Sequence, residues 1–268
     1  MEKQIDNHSS RFFVVLGISG HGKSSFINAL SGKNCCIVSN TGKTETQDVE
    51  AIDFSFNHLN FVAIDTPGLQ DTHDNNQKIN LIKSLLIKYP FIRSIIIVKK
   101  YDEIRFLPHF QECLEVFMEA FPLPNFWDHV IIVNTRANPN DGTFQDFLED
   151  KPPSFLENLL ICDNLVKLMK EKNISIPKKI QEYYVESKRY KEIPKVLEEF
   201  EKIKFDIQNT PMMFKNIFEG KKNLIEFKKE DEHFKYYEIY DELICIDFND
   251  KKHVIKYNYR EGGRKFRI

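Results

Sequence analysis

Nothing in this 268-residue sequence approaches the roughly 18 consecutive apolar residues needed to cross a bilayer. The richest stretches, 94–98 and 130–133, are strand-sized. A marked excess of either charge is missing too. Lys and Arg number 38 against 40 Asp and Glu, a formal net charge of −2, so no global field steers the chain toward nucleic acid or an anionic surface. Cysteine is sparse: the five residues at 35, 36, 113, 162 and 245 form no C-x-x-C pair, which argues against a disulfide framework or a zinc site. The start, Met1-Glu2-Lys3, shows no signal peptide or myristoylation glycine, and Lys265-Phe266-Arg267-Ile268 carries no prenylation cysteine. A cytoplasmic protein is expected, with peripheral membrane contact left open and nucleic acid disfavoured. No internal repeat is present.

Glycine is scarce as well, ten in all, yet three stand close together at 17, 20 and 22. The segment Arg11-Phe12-Phe13-Val14-Val15-Leu16 is an apolar strand running into Gly17-Ile18-Ser19-Gly20-His21-Gly22-Lys23-Ser24-Ser25, a G-x-x-x-x-G-K-S pattern. Glycines let the backbone curl so that successive N–H groups converge on phosphate oxygens. A helix beginning near Lys23 adds the positive end of its dipole. Lys23 supplies a charge for β- and γ-phosphates, and the Ser24 hydroxyl is placed to ligate Mg²⁺. The competing reading is an ordinary Gly/Ser-rich turn. A second phosphate motif downstream weighs against it: the strand 60–64 ends in Asp65-Thr66-Pro67-Gly68. Asp65 is expected to hold the Mg²⁺ shell through a water, and the Gly68 N–H to reach the γ-phosphate. In the polar loop 39–47, Thr44 or Thr46 offers a further hydroxyl to the metal. Contacts of this kind exist only while the γ-phosphate is present, which is how a loop becomes a switch.

Strands at 49–56 and 61–64, too close for anything but a hairpin, put one antiparallel strand into the sheet. Beyond them helix and strand alternate: helix 78–89, strand 95–98, helix 110–121, strand 129–133, strand 182–185 and helix 194–205. The capping box Ser154-Phe155-Leu156-Glu157 is expected to open one long helix with apolar positions at 156, 159, 160, 165, 168 and 169. The expectation is an α/β fold: a P-loop domain over 11–205 with a mostly parallel sheet and one antiparallel edge strand. Residues 206–268 form an extension, a small antiparallel meander with strands near 243–248 and 254–259.

Taken in order, Gly17 to Ser25, Thr44-Glu45-Thr46, Asp65-Thr66-Pro67-Gly68-Leu69, Ile95-Ile96-Ile97-Val98 with Arg105-Phe106, and Trp127 through Arg136 resemble the immunity-associated GTPases. These are the GIMAP-like, avirulence-induced-gene type, related to septins and to chloroplast-envelope receptor GTPases. The likeness spans about residues 11–205. It implies a Mg²⁺-dependent GTP- and GDP-binding domain that pairs with a second copy across its nucleotide face, and it implies work at membranes, in defence or in vesicle traffic.

Two departures shape the expectation. Guanine readers carry N-K-x-D, whereas Thr135-Arg136-Ala137-Asn138 stands here, or Asn134-Thr135-Arg136-Ala137 one register earlier. Either way the carboxylate is missing, so ATP stays open beside GTP. Tyr184-Val185-Glu186-Ser187-Lys188 resembles a second base-contacting loop, with Ser187 as its candidate; the competing reading is an ordinary strand-end turn. The other departure is Leu69, where many GTPases have a water-orienting glutamine. Intrinsic turnover should be slow; no catalytic residue is assigned, Gln70 and His73 being the nearby polar candidates. The expected function is thus a slow GTPase switch activated by pairing. The alternatives are an assembly scaffold that hardly hydrolyses and an ATP-using enzyme of the same fold. Residues 251–268 hold seven Lys or Arg against one acid, Glu261. Pairing of that basic strand with the acidic stretch 241–250 is favoured over a lipid contact.

Overall fold

The computed structural model describes residues 10–36, 50–66, 75–89, 91–103, 105–121, 123–188, 190–214, 216–222, 224–230, 234–246, 252–260 and 266–267. Its first sheet has six strands in the order β2-β3-β1-β4-β5-β6. These are β1 (Arg11–Gly17), β2 (Glu50–Phe56), β3 (Leu59–Asp65), β4 (Ile92–Lys100), β5 (Val130–Thr135) and β6 (Gln181–Val185). All neighbours are parallel except β2, which pairs antiparallel with β3 at the edge. The β2–β3 turn is Asn57-His58, both at positive φ (48° and 64°), the twist that a two-residue hairpin requires. Along β2, Ile52 and Phe54 are buried while Glu50, Asp53 and Ser55 face out, so the free edge is guarded by polar groups.

Central strands are apolar on both faces because helices cover both. On β1, Phe13 and Val15 pack with Phe26 and Ile27 of α1 (Lys23–Ser31) and with Val196, Phe200 and Ile203 of α7 (Pro194–Asn209). Phe12, Val14 and Leu16 point the other way, toward α2 (Asn75–Lys88), α3 (Pro108–Ala120), α5 (Phe155–Leu160) and α6 (Asp163–Glu171). The result is a three-layer α/β domain, as the alternating pattern predicts.

Three features differ from the sequence expectation. The long helix after the capping box is two helices, broken at Ile161-Cys162. Leu159 and Leu165 are both buried, yet six positions on one straight helix is about one and two-thirds turns, which would put them on different faces. The break reconciles them, leaves Ile161 77% exposed, and restarts the helix with Asp163 in its first turn. A short α4 (Gly142–Glu149) is additional to the expected elements; the Asp141 carboxylate caps it by accepting from the Thr143 N–H at 3.0 Å. In the extension, β7 (Asn216–Glu219) and β8 (Leu224–Glu230) precede the expected meander.

That second sheet is organised by one long strand, β9 (Phe234–Ile246), which pairs antiparallel with β7, β8, β10 (Lys252–Arg260) and β11 (Phe266–Arg267). Register sets Lys256 opposite Glu242, whereas Lys252 and Arg260 lie opposite Ile246 and Ile239. The sheet packs on the same side as α2: Leu243 and Cys245 share a core with Leu85 and Leu86. The link from α7 is tied to β4, where the Met213 N–H donates to the Ile92 carbonyl at 3.0 Å.

Candidate functional site

Strands β1, β3, β4, β5 and β6 all deliver their carboxyl ends to one edge of the sheet, and that is where open α/β sheets bind ligands. The loop from β1 to α1 lies there. Gly17 has φ +149°, and a Cβ on it would sit 2.4 Å from the Val98 carbonyl oxygen, so only glycine lets the loop leave between β1 and β4. Gly20 (φ +75°) and Gly22 (φ +90°) turn the chain left-handed, and Gly22, which has no side chain to cap with, stands at the start of α1. Such a helix start is ready for an anion. The buried Ile18 carbonyl accepts from the His21 N–H at 3.3 Å and from Lys23 Nζ at 3.2 Å, which holds the ammonium inside the loop. Ser19 and Ser25 are half-buried beside it.

The Ser24 hydroxyl donates to Asp65 Oδ2 at 2.7 Å, joining the two phosphate motifs across 41 residues of sequence. Asp65 Oδ1 accepts from the Thr66 N–H at 3.0 Å, and the Thr66 hydroxyl ties the end of β3 to the Val15 carbonyl at 2.7 Å. Burial pushes the Asp65 carboxyl above the ordinary range; Ser24, Lys23 and the Thr66 N–H oppose the shift, and Glu50, its register partner, adds to it. A hydroxyl and a buried carboxylate that gains from a nearby cation suit Mg²⁺ held by Ser24 directly and by Asp65 through water. Thr44, Thr46, Gly68, Leu69, Gln70 and His73 lie outside the described residues.

At the other end of the edge, successive residues of β5 point to opposite faces. Thr135 faces the loop: its hydroxyl donates to the His21 carbonyl at 2.7 Å, with the Lys99 carbonyl at 3.2 Å. Asn134 faces away. Its Oδ1 accepts from Lys99 Nζ at 3.0 Å and its Nδ2 donates to Glu182 Oε1 at 2.9 Å. Arg136, at φ 62°, lays Nη2 on the Gly20 carbonyl at 3.2 Å, so the exposed side chain spans the phosphate loop. The Ala137 N–H donates to the Val185 carbonyl at 3.2 Å, stitching the loop after β5 to the loop after β6. Asn138 is half-buried, and its Oδ1 accepts from the Asn140 N–H at 3.0 Å. In the facing loop the Ser187 Oγ is buried with no hydrogen-bond partner among the described residues.

Two arrangements go beyond what the sequence pattern indicates. His21, which the loop pattern treats as a tolerant filler, is 3% exposed and sets Nε2 3.2 Å from Glu103, which also meets Lys100 at 3.4 Å. The other is the buried Lys99–Asn134–Glu182 chain; burial pulls the Lys99 ammonium down while Glu182 supports it. The run Lys99-Lys100-Tyr101-Asp102-Glu103 at the carboxyl end of an apolar strand is the sequence signal that could have found both.

Comparison with known proteins identifies the family and the fold. The sequence profile of the AIG1 family matches residues 11–227. The fold is that of Toc33 from Arabidopsis thaliana: a dimerization-deficient mutant superposes with a TM-score of 0.56 at 21% identity, covering 76% of this chain and 87% of that one. Toc33 in complex with GDP and Mg²⁺ gives 0.53 at 22%, covering 75% and 84%. A third structure (0.56, 21%, covering 75% and 82%) concerns the importance of dimerization for the GTPase activity of the chloroplast translocon components atToc33 and psToc159. Among curated proteins, the tRNA modification GTPase MnmE of Prochlorococcus marinus is 34% identical over 77 residues, 29% of this chain and 16% of that protein. The MnmE of Hydrogenovibrio crunogenus is 26% identical over 140 residues, 52% of this chain and 30% of its own length. The chain thus spans less than a third of either relative. It belongs to the AIG1 family, and its first unit is a P-loop, GTP-binding G domain. Among the described residues no helix is long and apolar enough to cross a membrane.

Proposed function

We propose that this AIG1-family chain is a slow GTPase switch that turns over faster when two copies pair through their nucleotide faces. The observation that carries the reading is the 2.7 Å bond between Ser24 and Asp65 beneath the phosphate loop. It brings a metal-ligating hydroxyl and a carboxylate from two distant motifs to one point. Residues 17–25 would cradle the phosphates with backbone N–H groups, Lys23 moving from the Ile18 carbonyl to the β- and γ-oxygens. Mg²⁺, held by Ser24, by Asp65 through water and by Thr44 or Thr46, would neutralise charge on the β- and γ-phosphates. Thr135 and Arg136 brace the loop from behind, and Asn138 and Ser187 would flank the base, a reading that takes the Thr135–Asn138 register in preference to the one that starts at Asn134. Gly68 would meet the γ-phosphate. Residues 11–205 carry the nucleotide; residues 206–268 extend the helix layer beside α2, the helix that follows the second phosphate motif.

Slow turnover follows from Leu69, which neither donates nor accepts, so the group that positions water or offsets charge must come from elsewhere. Dimerization matters for the GTPase activity of Toc33, and pairing supplies such a group here. The test is turnover per subunit over a wide range of protein concentration, with sedimentation in GTP analogue and in GDP. Turnover that rises with concentration, and a dimer in the triphosphate state, is the expected result. Concentration-independent turnover by a monomer would refute pairing. A nucleotide-dependent dimer without turnover would favour the assembly scaffold, the second reading that Leu69 supports.

A further inference from the structure

The nucleobase is the part of the ligand on which this chain departs most from a guanine reader. The loops that would hold it leave the sheet side by side, because Thr135 and Val185 are register partners and the Ala137 N–H bonds the Val185 carbonyl at 3.2 Å. In the first loop Asn138 accepts from the Asn140 N–H at 3.0 Å. A backbone N–H only donates, so the side-chain oxygen must face it, and the amide NH₂ is turned the other way. One lone pair of Oδ1 remains. In the second loop the buried Ser187 hydroxyl has no partner among the described residues. A polar atom left so is a group awaiting a ligand or a water.

We infer that this base site ranks xanthine nucleotides above guanine nucleotides, with Asn138 setting the order; the inference rests on the nucleotide-site reading above. Guanine presents two donors side by side, N1–H and the 2-amino group, and a carboxylate accepts both. The fixed amide of Asn138 presents one acceptor and one donor. Against guanine, one of the two positions sets NH₂ against NH or NH₂, which loses a bond and adds repulsion. Xanthine keeps N1–H and carries an oxo group at position 2, so donor meets acceptor at both. Hypoxanthine keeps N1–H and has only C–H at position 2: one bond and no clash. Adenine offers the N1 acceptor alone on this edge. Guanine nucleotides still bind through N1–H and the phosphates; what changes is the order of affinities at one site.

Calorimetric titration of the whole protein with XDP, IDP, GDP and ADP, each with Mg²⁺, tests it. XDP should bind about tenfold or more tighter than GDP, the gain of a bond and the loss of a clash. Asn138→Asp should invert that order, and Asn138→Ala should bring XDP and GDP within about threefold of each other. GDP binding as tightly as XDP, or tighter, in the unaltered protein overturns the inference and leaves the nucleotide site standing. An order unchanged in a folded Asn138→Asp removes Asn138 from the role. Binding of none of the four overturns the nucleotide-site reading and the inference with it. The unaltered protein decides the order by itself, so the inference stays open to refutation even if a variant fails to fold.

Discussion

At the phosphate end of the sheet's carboxyl edge, side chains from separate motifs bond to one another and to the strands beneath: Ser24 to Asp65, Thr66 to Val15, Lys23 to Ile18. At the base end, backbone does most of the holding. The Val185 carbonyl takes the Ala137 N–H, and the Asn140 N–H holds the Asn138 oxygen through one of its two lone pairs. Changing a side chain at the first end should therefore cost affinity for every nucleotide. A change at the second should alter which nucleotide wins while the loops stay in place.

Lys23→Ala puts the sharpest strain on that contrast. It removes the ammonium that would meet the phosphates, and charge-assisted contacts contribute about 1.5–3 kcal/mol each, so binding of any purine triphosphate should fall about a hundredfold or more. The preference among bases should not move. Fluorescence titration with labelled GTP and ATP reads both quantities at once; undiminished binding of either would show that the phosphates sit elsewhere.

Ser24→Ala should act on a narrower front. Asp65 loses its 2.7 Å donor and the metal loses its direct protein ligand, so Mg²⁺-dependent triphosphate affinity should drop about tenfold to thirtyfold while diphosphate binding changes little. Titration with and without Mg²⁺ separates the two. Equal losses for diphosphate and triphosphate would argue that Ser24 serves the loop and not the ion.

The same contrast explains what could be read from sequence. The phosphate end is a local problem: three glycines, a lysine and a serine at fixed spacing leave the backbone few ways to run, and Asp65 lies at the end of an apolar strand. The base end depends on which face a strand residue takes. Asn134 and Thr135 are adjacent and both polar, and spacing alone does not say which points at the loop. The pairing of Lys99 and Glu182 with Asn134 decides it, and those partners come from two other strands. The break at Ile161-Cys162 is hidden for a related reason, since the apolar residues on either side imitate one stripe until the core shows which faces are filled.

Asn134→Ala tests the register directly. Lys99 and Glu182 would lose a shared buried partner, so stability should fall by about 1–3 kcal/mol in urea unfolding. The XDP-to-GDP ratio should stay within about twofold of the unaltered protein, since the amide lies on the far face. A tenfold change in that ratio with little loss of stability would return the base contact to Asn134.

The smallest expected effect concerns acid. Burial raises the Asp65 carboxyl, so the folded apo protein takes up a proton at a pH where the unfolded chain does not. Between the ordinary carboxylate value and the raised one, the native state binds more protons, and stability attributable to Asp65 increases as pH falls. A metal-bound state needs the carboxylate charged, so its affinity for Mg²⁺ and triphosphate should decrease over that window. One residue thus pushes apo stability and ligand affinity in opposite directions. Other groups obscure the raw curves: Asp141 and Glu157, held low by hydrogen bonds from Thr143 and Ser154, cost stability when protonated, and a terminal phosphate titrates near about pH 6. The measurement is therefore a difference. Urea midpoints of the unaltered protein minus those of Asp65→Asn should rise as pH falls, while the matching difference in log affinity for Mg²⁺·GTP should shrink, by under about tenfold. Two differences that move together would mean that Asp65 supports the fold at the phosphate end and has no part in holding the ion.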